Sequence, residues 1–376
     1  MKDFSFSTAG CIESGAGSSL KLHEQCARLG ITRPLLVTDP GLVAIGLVEA
    51  PLEALRANGL ASVLYDQVRE DPPESVILEA VELALAEGID GVIAIGGGSS
   101  MDVAKVVAVL LRSEQSLADI YGVDQVSGSR LPLVLVPTTA GTGSEVTPVA
   151  VVTTGETTKA GVSSRVLLPD VAVLDPDLTL GLPPRVTAMT GIDAMVHAIE
   201  AYTSKHKKNP LSDNLARQAL GLLAGNIRTA VHEGSNREAR ANMLLGAMLA
   251  GQAFANAPVA AVHALAYPLG GHYHIPHGLS NSLVLPAVLR FNMPEAGQMY
   301  AALAPLLGGT DGESLVSALE AIVRDTGLPA TLSQADVPES DLPMLAEDAM
   351  QQQRLLVNNP REVTQDDALE IYRAAY

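Results

Sequence analysis

Four short apolar runs, Leu35 to Thr38, Ser62 to Tyr65, Val92 to Ile95 and Leu133 to Val136, mark the first half of the chain, and amphipathic segments of helical period separate the first three. Strands that read as continuous apolar runs are buried on both faces. When helices intervene between them, the geometry that follows is a parallel sheet covered on both sides. Ligands of such sheets sit just beyond the carboxyl ends of the strands. Those ends carry unusual residues here: Asp39-Pro40-Gly41, then Gly96-Gly97-Gly98-Ser99, then Pro137 through Ser144 with threonines at 138, 139 and 142.

After Val171 to Pro176 the texture changes to long Ala/Leu-rich helical stretches that continue to residue 376. Consecutive prolines at 183 and 184 stop regular structure, and Thr187 reads as a cap for the next helix. The expected organisation is therefore an α/β domain over residues 1–181 and an all-helical domain over 182–376. A core is affordable at this size, but only 3% of residues are aromatic and none is Trp, so it must be built from Ala, Val, Leu and Ile. Aromatic stacking platforms for bases are scarce. With 24 Lys and Arg against 42 Asp and Glu, the formal charge of -18 repels phosphate backbones and anionic lipid headgroups, which argues against nucleic acid and membrane partners. Two cysteines, Cys11 and Cys26, fit a reducing compartment, and no run approaches the roughly 18 apolar residues of a membrane span. A cytoplasmic protein is expected.

Gly96 to Lys105 places glycines between an apolar run and the helical stretch Val103 to Leu111. Glycines let a pyrophosphate approach the backbone, and the first N–H groups of the helix face the anion. The same residues also read as a turn with a capping box, Ser99 as N-cap and Asp102 at the third helical position. The threonine-rich loop at 137–144 begins where another strand ends, so two such loops on one sheet edge suggest a dinucleotide cleft. Asp39 can accept hydrogen bonds from an adenosine ribose and repels a 2′-phosphate, or it can serve as a turn residue before Pro40-Gly41.

Asp193 and His197 lie four apart in the helical stretch Ala188 to Tyr202, hence on one face. Four of the eight histidines then fall within 15 residues, at 263, 272, 274 and 277. Three imidazoles with one carboxylate suit Zn²⁺, Fe²⁺ or a related divalent ion, although spacing alone leaves open which histidines bind. No G-x-S-x-G elbow, Walker loop or H-E-x-x-H occurs. A dinucleotide site together with a mononuclear metal points to hydride transfer.

The strings Gly96-Gly97-Gly98-Ser99-Ser100-Met101-Asp102-Val103-Ala104-Lys105, Pro137 through Glu145, Gly191-Ile192-Asp193-Ala194-Met195-Val196-His197-Ala198-Ile199-Glu200 and Pro276-His277-Gly278 resemble the iron-containing (group III) alcohol dehydrogenase family from Thr38-Asp39 to Asn359-Pro360-Arg361. The resemblance implies a Rossmann-like N-terminal domain, an all-helical C-terminal domain and an active site in the cleft between them. It implies Fe²⁺, or Zn²⁺, on Asp193, His197, His263 and His277, which sets the chain apart from the metal-free maleylacetate reductase branch. It implies NAD contacts at Asp39, Gly96, Gly97, Gly98, Ser99, Asp102, Thr138, Thr139, Thr142 and Lys159, and at Asp71, where many members have Asn. The implied reaction interconverts a primary or short-chain alcohol and its carbonyl compound, in a homodimer or larger assembly. The alternatives are a dehydroquinate-synthase-like lyase or a polyol or hydroxy-acid dehydrogenase of the same superfamily. Many members carry a second histidine four residues after the third ligand, thought to relay the alcohol proton. Tyr267 stands there in this chain, so it becomes the catalytic candidate, with His272, His274 or water as substitutes.

Overall fold

The structure is a computed structural model and describes residues 3–155 and 158–376. The chain forms two compact units. One comprises Ser7–Thr139 and Gly143–Leu180; the other comprises Gly181–Tyr376, Ala140–Thr142 and the N-terminal residues through Phe6.

In the first unit, strands β1 (Cys11–Ser14), β2 (Pro34–Val37), β3 (Val63–Tyr65), β4 (Gly91–Gly96), β6 (Leu133–Pro137) and β9 (Val171–Leu174) form one sheet in the order β1-β9-β6-β4-β2-β3. All its pairings are parallel. Alternate residues serve opposite faces, as the period of two requires. Leu35, Val37, Val92, Ala94, Leu133 and Leu135 join the core formed with α4 (Glu74–Glu87) and α5 (Gly98–Leu110). Leu36, Ile93, Ile95, Val134 and Val136 join the core formed with α1 (Leu22–Leu29) and α3 (Glu49–Ala57). The short α2 (Pro40–Ala44) follows β2 directly, with Pro40 in its first turn, where a missing N–H costs nothing. A second sheet joins β5 (Gly122–Val123), β8 (Thr158–Ser163) and β7 (Val149–Thr154), with β7 and β8 antiparallel.

Three local expectations are corrected. Ser99 is not an N-cap: α5 starts at Gly98 after Gly97, and the Asp102 carboxylate instead accepts from Ser144 Oγ (2.6 Å) and the Val151 N–H (2.9 Å). Thr187 lies inside α6 (Pro184–Thr203), where its Oγ1 accepts from the buried Arg240 (2.7 Å). The apolar spacing over residues 257–270 predicts a helix, which begins four residues later, at Ala261.

The helical unit continues with α7 (Pro210–His232), α8 (Arg237–Asn256), α9 (Ala261–Tyr273), α10 (His277–Leu303), α11 (Gly312–Asp325), α12 (Leu342–Ala349), α13 (Gln353–Leu356) and α14 (Gln365–Ala374). Pro268 inside α9 cannot donate to the Ala264 carbonyl, and the neighbouring Leu265 carbonyl accepts from Tyr372 Oη of α14 (2.6 Å). The last helix thereby braces the interrupted one. Among the described residues no single helix is long and apolar enough to cross a membrane.

Lys105 and Glu145 are both buried in the α/β unit. The ammonium of Lys105 donates to Ser144 Oγ (2.7 Å), Thr147 Oγ1 (3.2 Å) and the Val149 carbonyl (2.7 Å), whereas burial pushes the Glu145 carboxyl up to about 7. A carboxyl whose pKa is raised by folding lends stability below its unfolded value, and loses that contribution as pH rises through the folded value. Glu145→Gln, which cannot ionise, should therefore gain on the parent protein in urea midpoint as pH goes from about 5 to about 8. A midpoint difference that stays constant over that range would contradict the burial argument.

Candidate metal centre and dinucleotide crevice

The strand order reverses about β2: β3 lies on one side of it and β4, the next strand of this sheet in sequence, on the other. Such a switch point opens a crevice at the carboxyl ends of the two strands. A cavity of about 350 Å³ lies there, lined by Asp39, Pro40, Gly41, Val68, Arg69, Glu70, Gly97, Gly98, Ser99 and Ser100. Gly96, at the end of β4 just before this lining, is glycine for a steric reason. A Cβ on Gly96 would stand 2.5 Å from Ser100 Cβ, so any side chain would force β4 and α5 apart. The first turn of α5, with its unpaired N–H groups, opens on this cavity.

Asp39 lines the cavity and also caps α2, its Oδ1 accepting from the Leu42 N–H (3.0 Å). Thr138 is buried with its N–H on the Gly96 carbonyl (3.0 Å), and Thr139 lies beside Gly97. Asp71, with a left-handed φ of 50°, forms an exposed ion pair with Lys159 (2.5 Å). Thr142 falls with Ala140 and Gly141 in the helical unit. Gly141 packs there on α6, where a Cβ would meet Thr190 Cβ at 2.7 Å.

The helical unit gathers Asp193 and His197 from α6, His263 from α9 and His277 from the first residue of α10. The ligand atoms of Asp193, His263 and His277 all lie within 4.8 Å of one another. Asp193 Oδ1 is 3.6 Å from His277 Nε2, 3.9 Å from His263 Nε2 and 3.9 Å from His197 Nε2. The His197 ring stacks between Phe254 and His263, with centroids at 4.3 and 4.8 Å. The side chains of Asp193 and His263 are 4% exposed but that of His277 is 43% exposed, so the cluster opens on the His277 side. Catalytic metal sites need such an open position.

Gly278 makes this convergence possible. A Cβ there would lie 2.3 Å from the Met189 carbonyl oxygen, so only glycine lets the start of α10 press on α6 and deliver His277 to Asp193. Burial alone would raise Asp193, yet the three imidazoles and an Asn281 N–H hold its carboxyl below the usual range. Burial pushes His197 down to about 3, against the pull of Asp193, which leaves the neutral imidazole a ligand must be.

Sequence reasoning missed Asn281 and gave Glu200 no role. Asn281 Nδ2 stands 2.7 Å from Asp193 Oδ1, 3.2 Å from His277 Nε2 and 3.4 Å from His263 Nε2, while its Oδ1 is buried without a partner among the described residues. An amide has two N–H bonds and cannot satisfy three acceptors at once. One carboxylate oxygen and two ring nitrogens gathered at this point suit a divalent cation better. The signal for Asn281 was its place one turn after His277. Glu200, seven residues after Asp193 on the same helix, bonds His263 Nδ1 (2.6 Å). His272 and His274 lie elsewhere: His272 pairs with Asp348 (3.0 Å), and exposed His274 caps the end of α9. Tyr267 approaches the cluster, its ring centroid 5.9 Å from that of His277.

Two family models cover most of the chain: iron-containing alcohol dehydrogenase over residues 10–176, and the C-terminal part of the Fe-containing alcohol dehydrogenase family over 187–376. A long-chain-alcohol dehydrogenase of Geobacillus thermodenitrificans is 44% identical over 96% of this chain and 94% of its own. The crystal structure of a 1,3-propanediol oxidoreductase superposes with a TM-score of 0.96 at 36% identity, covering 100% of both chains. A sulfoacetaldehyde reductase from Bifidobacterium kashiwanohense in complex with NAD⁺ superposes with a TM-score of 0.92 at 29% identity, covering 100% of this chain and 99% of that one.

Gly278→Ala tests the steric argument. Because the clash is with backbone, α10 must shift, and overpacking of this kind costs about 1 to 3 kcal/mol. Metal per chain by elemental analysis should fall well below that of the parent protein, with a lower urea midpoint. Full metal content with an unchanged midpoint would show that His277 does not depend on this contact.

Proposed function

The chain belongs to the iron-containing alcohol dehydrogenase family, and from that premise we propose that Asp193, His197, His263 and His277 hold its Fe²⁺, or Zn²⁺, while the crevice at the carboxyl ends of β2 and β4 takes NAD. The enzyme is an oxidoreductase of the alcohol dehydrogenase class, using NAD and a divalent metal. The observation that carries the residue assignment is the convergence of one carboxylate and three imidazoles in the helical unit. When bound, the metal supplies Lewis acidity toward an alcohol or carbonyl oxygen, and NAD supplies the hydride acceptor.

The chain's own groups do the rest. The N–H groups at the start of α5 receive the pyrophosphate, and the glycines at 96–98 keep side chains out of its way. Ser99, Thr138 and Thr139 line the same edge, Thr142 and Lys159 contact the cofactor, and Asp71 orients Lys159 through their ion pair. Asp102 acts by tying α5 to the start of β7. Asp39 binds the ribose hydroxyls and selects against NADP. The substrate is a primary or short-chain alcohol or its aldehyde. Tyr267, beside the exposed face of His277, passes the alcohol proton outward by exchanging hydrogen bonds with water. The protein works in the cytoplasm as a homodimer or larger homo-oligomer. Free Cys11 and Cys26 are consistent with a reducing compartment, and burial pushes the Cys26 thiol up to about 11.

A panel of primary alcohols and aldehydes assayed with Fe²⁺- and Zn²⁺-loaded protein should give net, stoichiometric NADH production or consumption. A lyase that uses NAD transiently would give none. Two like charges about 4 Å apart cost roughly 1 to 4 kcal/mol, so NAD should be preferred over NADP by about five-fold to several hundred-fold in kcat/KM. Asp39→Gly should shrink that preference; equal efficiency with both cofactors in the parent protein would contradict the role of Asp39. Tyr267→Phe should lower kcat roughly ten-fold or more and alter its pH profile. An unaltered profile with only KM changed would make Tyr267 a wall of the pocket.

A further inference from the structure

Glu200 is a buried carboxylate at the heart of the helical unit, and the metal-ligand set proposed above does not include it. Along α6 the spacing from Asp193 to His197 to Glu200 is four and then three residues, which keeps all three on one stripe of the helix. Its two oxygens are both used. Oε1 accepts from the Val262 N–H (2.7 Å) and Oε2 meets His263 Nδ1 (2.6 Å), with the Glu200 and His263 side chains each only 4% exposed. Val262 belongs to the first turn of α9, whose N–H groups have no partner within the helix. One carboxylate thus pins both the start of α9 and the ring that α9 carries.

We infer that Glu200 is the positioning residue of the metal centre: it fixes His263 in the tautomer with hydrogen on Nδ1, and so presents the Nε2 lone pair to the cation. An ionised carboxylate only accepts, so the ring nitrogen facing it must donate. A neutral imidazole has one N–H, which leaves Nε2 bare on the side of Asp193 and His277. The second bond, from Val262, stops the carboxylate from rotating away. Glu200 also supplies a negative charge close to the cation without occupying a coordination position.

The inference rests on the metal assignment, and the test separates the two. In metal-free, uniformly ¹⁵N-labelled protein, long-range ¹H–¹⁵N correlation spectra should show the His263 ring, identified by its loss in His263→Ala, as the Nδ1–H tautomer. The Nε2–H tautomer would overturn the inference whether or not metal binds. Glu200→Gln is the second arm. A glutamine cannot accept from both Val262 and His263, because one of its two positions is an NH₂ group. Zn²⁺ affinity, measured by competition with a chelator, should fall 10- to 100-fold, and the visible spectrum of the Co²⁺-loaded variant should change. The metal-free melting temperature should move much less than the affinity. Unchanged affinity and an unchanged Co²⁺ spectrum in a folded Glu200→Gln protein would overturn the inference, whereas failure of the parent protein to bind Zn²⁺ would overturn the metal assignment itself. If the variant does not fold, the tautomer measurement on the parent protein decides alone.

Discussion

Asp193 and Glu200 bury two carboxylates in the helical unit, and among the described residues no lysine or arginine lies within ion-pair distance of either. Removing an ion from water costs several kcal/mol even after relaxation, so an apolar bundle does not tolerate two such groups without compensation. Hydrogen bonds from Asn281, Val262 and the histidines meet part of the cost. A divalent cation would meet the remainder, because its two positive charges balance the two carboxylates. The histidines, the glycine at 278 and the carboxylate behind His263 all make sense as consequences of that balance.

Backbone proximity is the other constraint, and glycine provides it in both units. Gly96 lets β4 run into α5 beside the crevice, and Gly278 lets α10 close on α6. In each case the missing Cβ is what brings a functional group to its place: helix N–H groups in the first, His277 in the second. Rigid elements carry these groups, so their geometry follows from packing and needs no ordering of loops.

Much of this was legible in the sequence. The buried parallel strands announce themselves because both faces are apolar, and the Asp193/His197 pair because helical spacing is local. The antiparallel pair β7 and β8 escaped notice, since its half-exposed residues mix Thr, Lys and Gly with Val and give no clean alternation. Ser99 looked like a cap only because the real partners of Asp102, Ser144 and Val151, are more than forty positions away. The start of α9 was misplaced because Ala257 to Ala260 are as apolar as the helix itself, and what fixes its first turn is a carboxylate on another helix. Likewise nothing local distinguishes His263 and His277 from His272 and His274. The fold does so by turning the latter pair toward Asp348 and the exposed end of α9. Relatives acting on long-chain alcohols, propanediol and sulfoacetaldehyde share this frame, so the frame specifies the chemistry more closely than the substrate.

The central claim is that one carboxylate and three imidazoles converge on a single divalent ion. X-ray absorption on protein reconstituted with Fe²⁺ or Co²⁺ addresses it most directly. The account predicts one ion per chain, a first shell of nitrogen and oxygen donors only, and outer-shell scattering that requires three imidazole rings. An ion bound with one imidazole or none, or a stoichiometry unaffected by His263→Ala, would contradict it.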